Sequence, residues 1–117
     1  MQEFVKVMKA FSEPNRVKIV KLLQHRSMCV EELQSILGIA QPTVSNHLKV
    51  LSFAGLLACS RKGFWVYYYP SDGSSSPFAA SMLGNLKHWL EDDEEFLQLM
   101  DRASSIYEEN LGSAGGR

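Results

Sequence analysis

The hydrophobic period of this chain changes at Gly55, and few folds accommodate the change. Upstream, Val44, Leu48 and Leu51 are spaced by four and three, the signature of one buried helix face. Downstream, Leu56-Leu57-Ala58-Cys59-Ser60 and Phe64-Trp65-Val66-Tyr67-Tyr68-Tyr69 are rich in strand formers with a period near two. Arg61-Lys62-Gly63 lies between them, and its glycine can take positive φ, so the pair reads as a β-hairpin with a cationic tip.

The stretch before that helix divides into three more. Phe4, Val5, Met8 and Phe11 fall on one side of a first helix, which Ser12-Glu13-Pro14 breaks. Proline fits the first position of a helix, so a second begins there, with Val17, Ile19, Val20, Leu22 and Leu23 inward and Lys18, Lys21 and His25 on the opposite side. Val30, Leu33, Ile36 and Leu37 mark a third helix that Gly38 stops. Ala40-Gln41-Pro42 starts the fourth, whose inward Val44, Leu48 and Leu51 leave Gln41, Ser45, Asn46, Lys49 and Ser52 outside. After the polar stretch from Pro70 to Pro77, Phe78, Met82, Leu86, Leu90, Leu97, Met100 and Tyr107 recur at helical spacing. That pattern fits one long helix or two broken near Glu91–Glu95, as far as about Leu111. The expected organisation is one domain over residues 1–111, mainly α with about five helices and two strands, then a flexible tail over 112–117.

Two short helices joined by a glycine-containing turn, the second with a small polar outer face, form a helix-turn-helix. A DNA major groove admits a helix whose leading side chains are small or able to hydrogen-bond, as Gln41, Thr43, Ser45 and Asn46 are. Lys49, one turn on, would meet the phosphate backbone, and Arg61 and Lys62 would lie along the neighbouring minor groove or phosphates. The DNA-facing set is therefore Gln41, Pro42, Thr43, Ser45, Asn46, His47, Lys49, Arg61 and Lys62. His47 sits between the two faces of its helix, where it either touches phosphate or links the fourth helix to the dimer core.

Net charge looks unfavourable for this reading, at −1 over 117 residues. It is unevenly distributed, however: residues 1–70 carry nine lysines and arginines against four acids, and the remainder three against nine. A basic front half suits a surface that meets phosphate. The two cysteines make no disulfide framework, and no apolar run approaches the roughly 20 residues of a membrane span. The N-terminus also lacks a signal-peptide core, so a cytoplasmic protein without membrane contact is expected.

In their order, these motifs resemble the ArsR/SmtB family of winged-helix repressors. The resemblance runs over about residues 3–90. It is strongest from Gln41 to Leu51, in Ala54-Gly55-Leu56-Leu57 and from Arg61 to Tyr68, with Phe11-Ser12-Glu13-Pro14-Asn15-Arg16 matching the opening of helix 2. It implies a winged helix-turn-helix homodimer in which the first and fifth helices of two chains pack together. The apolar residues of the terminal helix independently want a partner, and with the packing that the resemblance implies the dimerisation residues are Phe4, Met8, Phe78, Met82, Leu86 and Leu90. Two-fold symmetry then implies double-stranded DNA with an inverted repeat, its half-sites about 34–36 Å apart.

Members of the family commonly release DNA when a metal ion or another inducer binds. The arsenic-sensing pattern has two cysteines one residue apart, but here Cys29 is followed by Glu31 at the second position. A site on helix 5 finds His88 and Glu91 for one ligand pair, and only Ser75 and Pro77 where the other would fall. Cys29, His88 and Glu91 are thus weak metal candidates. No cofactor is expected, a metal ion or arsenite fits poorly, and the effector is left open. The alternative to a repressor is a winged-helix dimer serving as a protein-interaction module without specific DNA binding. An enzyme is not expected, since no nucleophile, base and orienting group cluster by spacing.

Overall fold

Prolines and glycines set the element boundaries in the computed structural model, which describes residues 1–114 and the side chains of residues 1–108. Helix α1 (Gln2–Ala10) leads into α2 (Pro14–His25), which has proline in its first turn. At its start the Glu13 carboxylate accepts the Arg16 N–H at 3.1 Å. Helix α3 (Val30–Leu37) stops at Gly38, whose φ of 69° is left-handed. Three residues later α4 (Gln41–Phe53) begins, again with proline in its first turn.

Strands β1 (Leu57–Lys62) and β2 (Trp65–Pro70) pair antiparallel, from Leu57 opposite Pro70 out to Lys62 opposite Trp65. The pairing runs further than expected: Arg61 and Lys62 belong to β1, and the turn consists of Gly63 and Phe64. Gly63 has φ 63°, the positive value that a two-residue hairpin loop requires at its first position. The inner end of the hairpin is tied to the body by a bridge between Met28 and Tyr68, with N–H to O distances of 3.1 and 2.8 Å.

The C-terminal helical pattern resolves into two helices, α5 (Pro77–Leu86) and α6 (Glu94–Ala114), so there are six helices among the described residues. The break spans residues 87–93, slightly earlier than Glu91–Glu95, and contains Leu90 at φ 64°. Helix α6 folds back onto α3, and Arg102 donates to the Ser35 carbonyl at 3.2 Å. Of the tail expected over 112–117, residues 115–117 lie outside the described residues.

Ile19, Leu22, Leu33, Ile36, Leu48 and Leu51 form the centre of the core, joined by Val7 from α1 and Leu83 from α5. Helical spacing put Lys21 on the solvent side of α2, and the structure overturns this, leaving it 2% exposed. Its ammonium donates to the carbonyls of Leu86 at 2.9 Å and Trp89 at 2.7 Å and to Glu91 at 3.3 Å, and lies 4.5 Å from the Phe96 ring centroid. A cation at the C-terminal end of α5 meets carbonyls that no helical N–H can satisfy, which closes the α5–α6 corner. Lys21→Met should lower stability by about 2 kcal/mol, since hydrogen bonds to a charged group are lost. Chemical denaturation would register the change, and an unchanged midpoint would show that the corner holds without the lysine.

Candidate nucleic-acid interface

Helix α4 has one apolar face and one polar face, and the core selects between them. Val44, Leu48 and Leu51 are fully buried. At 100° per residue this turns Gln41, Pro42, Thr43, Ser45, Asn46 and Lys49 outward, and all six are exposed. Arg61 and Lys62 are exposed on the outer half of β1, where the hairpin projects beyond the core. Eight of the nine residues expected to face DNA therefore lie on the surface.

His47 is the exception and a correction, for it is only 7% exposed. Its Nδ1 lies 3.4 Å from Arg16 Nη1 and its Nε2 lies 3.5 Å from Glu13 Oε2. A guanidinium can only donate, so Nδ1 accepts and Nε2 carries the proton toward the carboxylate. Arg16 also donates from Nε to the Ala10 carbonyl at 2.8 Å and from Nη2 to the Lys9 carbonyl at 3.2 Å. One guanidinium thus ties the C-terminus of α1, the start of α2 and the middle of α4 together. Spacing along α4 left His47 ambiguous because its partners lie some 30 residues earlier in the chain.

The basic residues sort by location. Lys18 pairs with Glu95 at 2.5 Å, Lys21 with Glu91, and Arg26 with Glu32 at 3.5 Å. Lys49, Arg61 and Lys62 enter no ion pair among the described residues, although Lys62 Nζ stands 5.7 Å from the Tyr67 ring centroid. The cations beside the polar face of α4 are thus among those left without an ion pair, as are Lys6, Lys9 and Lys87 elsewhere on the surface.

Residues 13–58, from the start of α2 into β1, match the family described as bacterial regulatory protein, arsR family. An HTH-type transcriptional regulator of Methanocaldococcus jannaschii is 39% identical over 72 residues, covering 61% of this chain and 81% of the relative. The chain belongs to the ArsR family.

The HTH-type transcriptional repressor SmtB of Mycobacterium tuberculosis is 39% identical over 66 residues, or 56% of this chain, which spans about half of that repressor's length, 49%. Among solved structures, the transcriptional repressor BigR of Xylella fastidiosa superposes with a TM-score of 0.66 at 28% identity, covering 80% of this chain and 88% of its own. A homodimeric winged helix-turn-helix domain of Mycobacterium bovis gives a TM-score of 0.62 at 25% identity, covering 80% and 86%. This ArsR-family chain is therefore a DNA-binding transcriptional regulator with a winged helix-turn-helix fold, and no helix among its described residues is long and apolar enough to cross a membrane.

The apolar residues expected at a dimer contact separate into two groups. Phe4 is exposed on α1, and its ring meets that of Phe78 edge-on at 5.4 Å; Met8, Phe78 and Met82 are half-buried. Leu86 is 3% exposed and packs within its own protomer, so it corrects to a core residue. Leu90 is exposed at the α5–α6 corner rather than on the face of α5.

The weak metal candidates do not converge: among the described residues no group of three or more His, Cys, Asp and Glu side chains is placed to hold an ion. Glu91 is engaged by Lys21, and Cys29 is buried immediately before α3, where its N–H donates to Glu32 at 3.1 Å. Burial pushes the Cys29 thiol up from 9.0 to about 11, away from the thiolate that a soft metal or an oxidant needs. Cys59 is exposed.

A thiol-specific reagent at pH 8 should accordingly modify Cys59 in the folded protein and reach Cys29 only after unfolding. Below pH 9 the Cys29 thiol keeps its proton in both states, so it gives stability no pH dependence. From pH 9 to about 11 the unfolded chain releases the proton and the folded chain retains it, so stability falls as pH rises. Cys29→Ala should remove that part of the decline in denaturation curves across the window; rapid labelling of Cys29 in the native state would contradict its burial.

Proposed function

We propose that this chain is a homodimeric transcriptional repressor that reads an inverted-repeat operator through Gln41, Thr43, Ser45 and Asn46 of α4. Pro42 sets the start of the helix, and Lys49, Arg61 and Lys62 meet phosphates on either side. The observation that carries the reading is the pairing of a small, hydrogen-bonding helix face with three exposed cations, Lys49, Arg61 and Lys62, that enter no ion pair among the described residues. Glutamine and asparagine offer bidentate contacts to adenine, and serine and threonine serve bases or phosphates. The repressor names of the SmtB and BigR relatives support the direction of regulation.

The dimer would form through α1 and α5, where Phe4, Met8, Phe78 and Met82 leave apolar surface at one side of the protomer. The homodimeric Mycobacterium bovis domain supports this assembly. With one helix-turn-helix per protomer, a two-fold axis spaces the half-sites by about one DNA turn. Residues 1–111 act as one unit in this reading, and the site of action is the cytoplasm. The effector works by preferring one dimer state, because a ligand changes DNA affinity only by as much as it discriminates between states.

The test is the salt dependence of binding to a duplex selected by the protein from a random pool. Replacing Lys49, Arg61 and Lys62 together by alanine should make the slope of log K against log salt shallower by about 1 for each cation that meets a phosphate. His47→Ala, which removes no phosphate contact, should leave the slope unchanged while lowering thermal stability. A triple variant that bound as tightly as the parent at every salt concentration would remove the assignment, as would a pool that yields no preferred sequence.

A further inference from the structure

The turn of the hairpin holds a phenylalanine with no role in the fold. Because Lys62 and Trp65 form the last pair, Gly63 and Phe64 make the whole loop, and Phe64 stands at its apex with 102% relative exposure. Loop positions of this kind usually carry small or polar residues, and an aromatic ring there removes no surface from water on folding. Trp65 beside it is 45% exposed, so the tip presents two adjacent aromatics. Arg61 and Lys62, cations without ion pairs among the described residues, stand directly behind them.

Aromatic surface backed by unneutralised cations complements a polyanion with an apolar interior, and duplex DNA is one: phosphates outside, stacked bases within. A tight two-residue loop is also a narrow protrusion, and the minor groove is only about 6 Å wide. The lever behind it is stiff, because β2 is bridged to Met28 at the entrance to the helix-turn-helix. The tip is thus held at a set position relative to α4.

We propose that Phe64 is a minor-groove wedge that enters a base step of the operator flank, partly unstacks it and bends the duplex. This rests on the DNA-binding reading of the wing given above and adds a specificity determinant to it. Apolar wedges of this kind kink DNA at the step they enter. Pyrimidine–purine steps unstack most readily, so the wing selects such a step at a position that α4 does not touch. Arg61 and Lys62 hold the flanking phosphates and supply the sequence-independent part of the contact.

The experiment uses the full chain and a duplex it selects from a random pool, with 2-aminopurine placed at the flanking pyrimidine–purine step and a fluorophore pair at the ends. On binding, the parent protein should raise the 2-aminopurine fluorescence and shorten the end-to-end distance. Phe64→Ala should abolish both, weaken binding about 10-fold and erase the preference for that step, while the preference at base pairs read by α4 persists. Phe64→Leu, still an apolar wedge, should retain the bend. Lys62→Ala should weaken binding yet keep the fluorescence rise. Because Phe64 touches nothing in the fold, Phe64→Ala should unfold at the parent temperature, which separates a lost contact from a lost structure. If the parent protein neither unstacks the step nor bends the duplex, or if Phe64→Ala matches it while Lys62→Ala still weakens binding, the wedge is refuted and the wing contacts only the backbone. A pool without any preferred duplex would overturn the wedge together with the operator reading.

Discussion

The orientation of α4 rests on three side chains. Val44, Leu48 and Leu51 are fully buried, and each contributes about 1.5–3 kcal/mol by leaving water. Turning the helix by one residue would expose these groups and drive Ser45 and Lys49 toward the core, where a charge without a partner is costly. The polar face therefore has one direction available to it. Arg16 strengthens the constraint from a second side, since its guanidinium links α1 carbonyls to the His47 ring and so fixes α4 in position along its axis as well as in rotation.

What the sequence displayed and what it concealed divide along the range of the interactions. Helix spans and the outward face of α4 follow from residues three and four apart, and the hairpin from alternation over six, so both could be read directly. Lys21 could not: its partners Leu86, Trp89 and Glu91 are 65 to 70 residues away, and spacing along α2 describes a face without saying what covers it. The same long reach hid the inward turn of His47. Leu86 has the spacing of the dimerisation residues, yet it is buried within the protomer while Phe78 and Met82 are only partly covered. The hairpin loop is Gly63-Phe64 and not Arg61-Lys62-Gly63, because Arg61 and Lys62 have no strand signal of their own; they join β1 only through pairing with Val66 and Trp65.

The division of the last helical segment has the same origin. The periodic apolar pattern fits one helix or two broken near Glu91–Glu95, and by itself it does not place the corner at residues 87–93. The corner forms because the carbonyl end of α5 finds a buried ammonium, and because Leu90 takes a left-handed conformation that interrupts helical bonding. Acids bunched at 91–95 then fall where they are useful: Glu91 and Glu95 meet α2 lysines, and Glu94 and Glu95 occupy the first turn of α6, where the helix dipole favours negative charge.

That placement also resolves the apparent conflict between a net charge of −1 and a DNA-facing surface. Whole-chain charge matters to a phosphate only through groups that stay unneutralised within about a Debye length of it, some 8–10 Å at ordinary ionic strength. On α2 the cations are consumed internally, Lys18 and Lys21 by acids of the C-terminal segment and Arg16 by carbonyls of α1. On α4 and β1 they are not, so Lys49, Arg61 and Lys62 set the local potential even though acids outnumber bases overall. The acidic C-terminal half thus takes up positive charge where it would only stabilise the fold, and positive charge stays free beside the polar face of α4. A chain with its acids spread evenly could have the same net charge and hold no such surface.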